Sequence, residues 1–190
     1  MKQTETGILS KDKQVNLVPD SYNMSEHTHR FAVWTAARAV QRNFTTTEVI
    51  ETAINKTKLR DLAEGRIPEV IDQESYATFL IENSKTLIKE LGKSVDKEKV
   101  TFGRAAKIIA VYLKTAVILP NKGVGVLCSL IHPPIDRILL TNIKKETTID
   151  ILDEIPNWTQ LDQKGYFEIW KKLQSLSPEF PWKIEYYWMP

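Results

Sequence analysis

The residues best suited to chemistry in this chain are a lysine and an aspartate near the starts of two successive predicted helices. Lys107 lies one turn into a helix that begins at Thr101, directly before a run of apolar residues. Burial disfavours the charged ammonium, so apolar neighbours favour the neutral amine that a nucleophile needs. Asp136 follows Pro133 and Pro134 in the predicted first turn of the next helix, where the helix dipole stabilises a carboxylate. Together they predict a site where an amine attacks a carbon and a carboxylate assists.

The same two residues also have ordinary structural explanations. A lysine at the edge of an amphipathic helix usually lies in solvent. A Pro-x-Asp sequence usually marks only a helix start with a favourable charge. His132, four residues before Asp136, either lines the same pocket or simply packs or caps. The sequence leaves these alternatives open.

The segment 102–145 resembles the helix-hairpin-helix DNA glycosylases, most closely their archaeal 8-oxoguanine glycosylase branch. In that branch a lysine begins the pattern K-x-(I/V)-x-x-x-x-K, and an aspartate follows in a P-(I/V/L)-D-x-R-like segment. This chain has Lys107 and Lys114 at that spacing, then Pro134-Ile135-Asp136-Arg137. The resemblance implies that Lys107 attacks the sugar of a damaged purine nucleotide in double-stranded DNA and that Asp136 assists. The patterns FGxAxK and HxPID also resemble those of uncharacterised bacterial helical proteins.

A second alignment with the same family is also open. The usual glycosylase hairpin reads L-P-G-V-G-x-K, and the segment 119–125, LPNKGVG, has its glycines with an insertion and no following lysine. If this segment is the DNA-binding hairpin, Lys122 becomes the candidate lysine. If Lys107 is the nucleophile, Gly123 and Gly125 form only a turn. Lys107 is preferred because the pattern around it matches at more positions.

The resemblance also implies residues that contact DNA. Phosphate contacts require positive charge and make binding dependent on salt. A flipped base requires an aromatic platform, because it loses its stacking partners. Trp182 and Trp188 in the aromatic C-terminal tail either provide that platform or seal the core. The predicted DNA-binding residues are Arg104, Lys114, Lys122, Gly123, Gly125 and Arg137.

Composition limits the other classes of function. The chain has 190 residues, a formal net charge of +2 and one cysteine, Cys128. This length suits one domain with a substantial core, and the charge neither requires nor excludes a nucleic-acid partner. The absence of a long apolar run, of a signal sequence and of a second cysteine predicts a cytoplasmic protein without a membrane span or disulfide. The three histidines have no metal-ligand spacing and no glycine-rich nucleotide loop occurs, so neither metal nor cofactor is predicted.

Hydrophobic periodicity predicts an all-α fold: a polar arm over residues 1–25 and one domain of about six helices over 26–190. The first helix, Glu26 to Arg42, is predicted to bury Phe31, Trp34, Ala37 and Val40. The second begins at a Thr45–Glu48 capping box and ends at Gly65. Further helices are expected at 72–92, at 101–120, from Pro133 and at 159–176, with a shorter helical piece at 124–131. Trp158 and Trp170 are expected in the core. The aromatic tail is expected to pack back on the domain. The arm and the tail are also the expected surfaces for a protein partner.

Overall fold

The computed structural model describes residues 19, 21–149 and 157–189, so most of the predicted polar arm lies outside the described residues. Every regular element within these ranges is helical, which confirms the all-α prediction. The elements share one hydrophobic core. The α-helices are α1 (Met24–Val40), α2 (Thr47–Ile54), α3 (Leu59–Ala63), α4 (Gln73–Leu91), α5 (Phe102–Leu113), α6 (Arg137–Glu146) and α7 (Gln163–Gln174).

Helix α5 is the centre of the fold. It packs against α1, α3, α4 and α7, and ten of its twelve residues are buried. A helix with apolar residues on nearly all sides is expected in the middle of a bundle. At its end the chain continues into a π-helical turn, Lys114–Ile118. Such wide turns are rare and often lie at functional sites.

Small residues decide which side of α1 is buried. The buried positions are Ala32, Val33, Ala36, Ala37 and Val40, which allow α1 to approach α5 and α2 closely. The prediction that Phe31 and Trp34 lie in the core is wrong, because these side chains are 51% and 52% exposed. The alanine side and the aromatic side lie on opposite faces of the helix, and close helix packing selected the alanines.

Helix starts follow local capping chemistry, with one residue of error at α2. Asp72 caps α4 and forms a capping box with Ser75, and Thr101 caps α5, as predicted. The cap of α2 is Thr46, whose hydroxyl accepts from the backbone N–H of Val49, so the predicted Thr45–Glu48 box is wrong. Gly65 does not end α2 either, because α2 ends at Ile54 and the short α3 precedes that glycine.

The predicted helix from Pro133 begins later, since the chain is not helical from Ile131 to Asp136 and α6 starts at Arg137. The predicted helical piece 124–131 is reduced to one 3₁₀ turn, Leu127–Ser129. The predicted helix 159–176 is divided into a 3₁₀ turn, Trp158–Gln160, and α7. The tail does pack back, as a 3₁₀ helix over Pro181–Tyr187 with Ile184 in the core. We call residues 181–189 the C-terminal segment.

Candidate functional site

Lys107 and Asp136 meet inside the protein. The Lys107 ammonium donates a hydrogen bond to Asp136 Oδ2 at 3.0 Å, although 29 residues separate them. Their side chains are only 9% and 11% exposed. The sequence prediction placed both residues at helix starts, and packing of α5 beside the start of α6 brings them together as a buried ion pair.

Asp136 is held by donors from three parts of the chain. Its extended backbone makes it the N-cap of α6, and its Oδ1 accepts from the backbone N–H of Leu139 at 3.0 Å. Its Oδ2 accepts from Lys107 and, also at 3.0 Å, from the indole N–H of Trp188. An N-cap carboxylate satisfies a helix N–H and lies at the positive end of the helix dipole. The carboxylate therefore has a fixed orientation before any ligand binds.

Trp158 forms the wall of the site on the other side of Lys107. The Lys107 Nζ lies 4.4 Å from the centroid of the Trp158 ring, within the range of a cation–π contact. The turn that carries Trp158 lies across the start of α5 because Gly103 leaves space for it: a Cβ at that position would lie 2.1 Å from the Trp158 carbonyl oxygen. Two hydrogen bonds hold the turn there, from Thr101 Oγ1 to the Thr159 carbonyl and from the Gly103 N–H to the Leu161 carbonyl.

The C-terminal segment closes the site. The Asn142 side chain on α6 donates to the carbonyls of Tyr187 and Met189 at 2.9 and 3.2 Å. These bonds position Trp188 over Asp136. Access to the ion pair from this direction therefore requires the end of the chain to move.

A second lysine–carboxylate pair lies on the same helical path. Lys114, seven residues after Lys107, forms a hydrogen-bonded ion pair with Glu185 in the C-terminal segment. Burial raises the pKa of the Glu185 carboxyl and the charge of Asp136 raises it further, while Lys114 opposes both effects. The two carboxylates are therefore close enough to influence each other. Lys114, a predicted DNA-binding residue, has its charge engaged within the protein.

The remaining predicted DNA-binding cations are dispersed. Arg137, the first residue of α6, and Lys122 are both exposed. The Arg104 guanidinium donates to the Lys99 carbonyl at 2.6 Å and lies over the Phe44 ring. Asp136 bonds to Lys107 and not to Lys122. The structure thus brings Lys107 and Asp136 together, but it does not place all the predicted DNA-binding cations around them.

The predicted turn at Gly123 and Gly125 contacts Trp182. Both glycines have positive φ, 73° and 108°, and the Trp182 indole N–H donates to the Gly123 carbonyl at 3.2 Å. A Cβ at Gly123 would lie 2.7 Å from the Trp182 ring. Trp182 therefore covers one side of this turn, while Gly125 stays exposed.

His132 belongs to an aromatic cluster in the core. Its ring stacks on Trp170 with centroids 3.8 Å apart, and its Nδ1 lies 3.1 Å from the Tyr166 hydroxyl. Burial lowers the pKa of His132 to about 3, so the imidazole is neutral at physiological pH. Of the two alternatives for this residue, packing is the one observed.

Sequence reasoning missed the roles of Trp158 and Glu185. Trp158 was assigned to the core, and nothing in its local pattern indicated that its ring faces a lysine 51 positions earlier. For Glu185, the only sequence signal was its place in an aromatic tail that was expected to pack back. Both contacts depend on how distant elements pack.

Comparison of the chain with protein-family models, curated proteins and solved structures finds no match. Among the residues that the structure describes, no group of three or more histidine, cysteine or acidic side chains is placed to hold a metal ion. No helix in the described ranges is both long enough and apolar enough to cross a membrane. The buried pair of Lys107 and Asp136 is therefore the candidate functional site.

Proposed function

We propose that this protein is a DNA glycosylase that acts on a damaged purine with Lys107 as the nucleophile and Asp136 as its helper. The observation that carries the proposal is the 3.0 Å contact between Lys107 Nζ and Asp136 Oδ2 in a nearly dry site. An amine within hydrogen-bond distance of a carboxylate provides the groups that this reaction needs.

In the proposed reaction, Asp136 first takes a proton from the Lys107 ammonium and leaves a neutral amine. The amine nitrogen attacks C1′ of the nucleotide, and the bond between C1′ and the base breaks. The base leaves with the bonding electrons and receives the proton that Asp136 holds. The attached nitrogen then carries two protons, and Asp136, again a carboxylate, can pass one of them to the ring oxygen O4′. As the C1′–O4′ bond breaks, the nitrogen lone pair forms the C1′=N bond of a protonated Schiff base, which allows strand cleavage by a lyase step.

The C-terminal segment controls access in this proposal. Trp188 must withdraw from Asp136 before a nucleotide can reach Lys107, because its indole N–H occupies Oδ2. Trp158 would stay behind the amine, since two hydrogen bonds hold its turn on α5. Once displaced, Trp188 and Trp182 are candidates to stack against the flipped base, which needs an aromatic surface outside the duplex.

Exposed cations would bind the DNA backbone. Arg137 lies directly beside Asp136 and is exposed, so it is the residue best placed for a phosphate near the site. Lys122 is exposed on the turn that Trp182 covers. Each phosphate contact of this kind makes affinity fall with salt.

Borohydride trapping on duplex DNA that contains 8-oxoguanine tests the proposal. We expect a covalent adduct with the unmodified protein and none with Lys107→Gln. Lys93→Gln is the matched control, because Lys93 pairs with Glu90 at the surface, away from the site. An adduct that persists in Lys107→Gln and disappears in Lys122→Gln would assign the reaction to the hairpin lysine. No adduct with any variant, for several lesions, would contradict the glycosylase.

A second function is favoured by the enclosure of the ion pair. Side chains that are about nine-tenths buried and paired with each other suit a structural element, and the chain would then be a helical module that binds a partner protein or nucleic acid. Tyr186 and Met189 are exposed in the C-terminal segment and offer a docking surface. Folded protein that traps no DNA but co-purifies with one stoichiometric partner would support the module.

A further inference from the structure

The outer face of α1 carries an exposed row of aromatic and basic residues. Phe31 and Trp34 are stacked on each other, with ring centroids 5.7 Å apart and an interplanar angle of 21°. Both are about half exposed, and Arg38 follows Trp34 one turn later on the same face. We call His27, Phe31, Trp34, Arg38 and Arg42 the α1 stripe; every member is exposed.

The stripe is not needed to build the core. The opposite face of α1 supplies five buried residues that pack against the neighbouring helices. Two large aromatic side chains next to each other in water expose apolar area that a monomeric protein usually reserves for a ligand. The pairing of Phe31 with Trp34 also fixes both rings in one orientation before anything binds.

The segment that contains the stripe has more basic than acidic residues. Residues 21–47 contain a single acidic side chain, Glu26, and its carboxylate already pairs with Arg30 and Arg60. Arg38 and Arg42 form no ion pair within the described part of the chain. Their guanidinium groups are therefore available to an anionic ligand that lies along α1.

We infer that the α1 stripe binds single-stranded DNA. Unpaired bases stack on exposed aromatic rings without regard to sequence, while arginines contact the phosphates between them. The stripe places two aromatic residues of α1 before Arg38, on the same helix, and Arg42, two residues after the helix ends. Phe31 and Arg38 are about 10 Å apart along the axis at 1.5 Å per residue. A strand that stacks on the rings therefore passes the guanidinium groups.

Other ligands match the stripe less well. Duplex DNA keeps its bases stacked internally, so it would use the arginines and leave both rings in water. An acidic peptide would satisfy the arginines but supplies no planar rings for Phe31 and Trp34. The inference goes beyond the glycosylase, because the stripe contains none of that site's residues and its binding does not require Lys107 to react.

Fluorescence anisotropy with a labelled oligodeoxythymidine of about 16 nucleotides tests this inference. We expect the double variant Phe31→Ala/Trp34→Ala to bind about tenfold or more weakly, since each base–aromatic stack contributes substantially. Arg38→Gln is expected to lower the slope of log affinity against log salt by about 0.7, the value for one single-strand phosphate. Ile71→Ala, which removes an exposed apolar side chain elsewhere, is the control and should bind normally.

Circular dichroism and thermal unfolding of each variant separate a binding defect from a folding defect. Equal affinity for the double variant and the unmodified protein would overturn the inference. The inference would also be overturned if oligouridine of the same length, or a polyglutamate peptide, bound more tightly than oligodeoxythymidine and lost that binding in the same double variant. Loss of oligodeoxythymidine binding in a folded double variant that still gives a trapped adduct would support the stripe separately from the Lys107 chemistry.

Discussion

The aromatic residues of this protein occupy two contrasting settings, an exposed pair on α1 and a C-terminal segment that packs back on the domain. The pair Phe31 and Trp34 has helical spacing and was expected in the core, yet it is exposed. Trp182 and Trp188 lie in an irregular tail and were candidates to stack a base, yet both donate hydrogen bonds to the protein. The indole N–H usually finds an acceptor when its ring is covered, and here the acceptors are the Gly123 carbonyl and Asp136.

The difference shows what aromatic residues do in each region. In the C-terminal segment they join the end of the chain to α6 and to the glycine turn, so their loss should change stability. On α1 they contact each other and contribute little to the core, so their loss should change binding alone. Measuring both stability and binding for the same variants therefore tests whether the two regions differ in this way.

The largest expected effect is that of Asp136→Ala. This change removes the partner of Lys107, the cap of α6 and the acceptor of Trp188. Breaking a buried pair from one side costs about 3–5 kcal/mol, because it leaves a buried charge uncompensated. Urea unfolding measures the loss.

Asp162→Ala is the control. Asp162 caps α7 at an exposed position, so its replacement should cost about 1 kcal/mol. Equal losses would mean that Asp136 acts only as a cap.

The second largest expected effect is a dependence of stability on pH, which His132 in the core aromatic cluster causes. The pKa of His132 is about 3 in the folded protein against an ordinary value of 6.5. Below pH 6.5 the His132 imidazole therefore binds a proton in the unfolded state but stays neutral in the folded state. As the pH decreases, the free energy of unfolding falls by about 1.4 kcal/mol per pH unit until the folded-state pKa is reached. Unfolding at pH 7.0 and 5.0 should differ by about 2 kcal/mol from this group alone. His132→Phe should flatten that slope, whereas His27→Gln, at an exposed site, should keep it. An unchanged slope in His132→Phe would contradict the prediction.

A smaller effect is expected from Gly123→Ala. The new Cβ would meet the Trp182 ring at 2.7 Å in a backbone with φ 73°, and the positive φ alone costs about 1–2 kcal/mol. Gly65→Ala is closely matched, because its φ is 71° and nothing lies within 4 Å of the new Cβ. The difference between the two variants in thermal unfolding therefore measures the Trp182 contact. No difference would mean that Trp182 moves aside freely.

The smallest expected effects come from replacing exposed aromatic groups. Phe31→Ala and Trp34→Ala should each change stability by less than about 0.5 kcal/mol, as is usual for surface positions. Trp188→Phe should cost about 1 kcal/mol, because it removes the hydrogen bond to Asp136. Chemical denaturation of the three variants tests the comparison directly. A loss above 2 kcal/mol for Trp34→Ala would mean that α1 needs its aromatic pair for folding.

Local chemistry explains most of what could be predicted. The starts of α4 and α5, near Asp72 and Thr101, were found from the sequence, because a short polar side chain followed by helical residues satisfies its own helix. The buried side of α1 was found only in part: Ala37 and Val40 are buried as predicted, whereas Trp34 is exposed. The sequence does not separate these positions, because Ala36 and Trp34 both belong to apolar patterns with helical spacing. Only the distance between α1 and α5 selects the smaller side chain. The start of α6 was placed too early, at the prolines, because the residue that caps this helix is Asp136.

The features of the candidate site also divide into those set by neighbouring residues in the chain and those set by helix packing. The sequence by itself determined the helices, the lysine beside apolar neighbours and the aspartate at a helix start, because each depends on residues a few positions apart. Only the tertiary structure decided that Lys107 bonds Asp136, that Trp158 lies against the amine and that Trp188 closes the carboxylate. These contacts join positions 29 to 52 residues apart, and such distances are set by how the helices pack rather than by spacing along the chain. Packing therefore turned two residues of ordinary types into a buried, oriented pair.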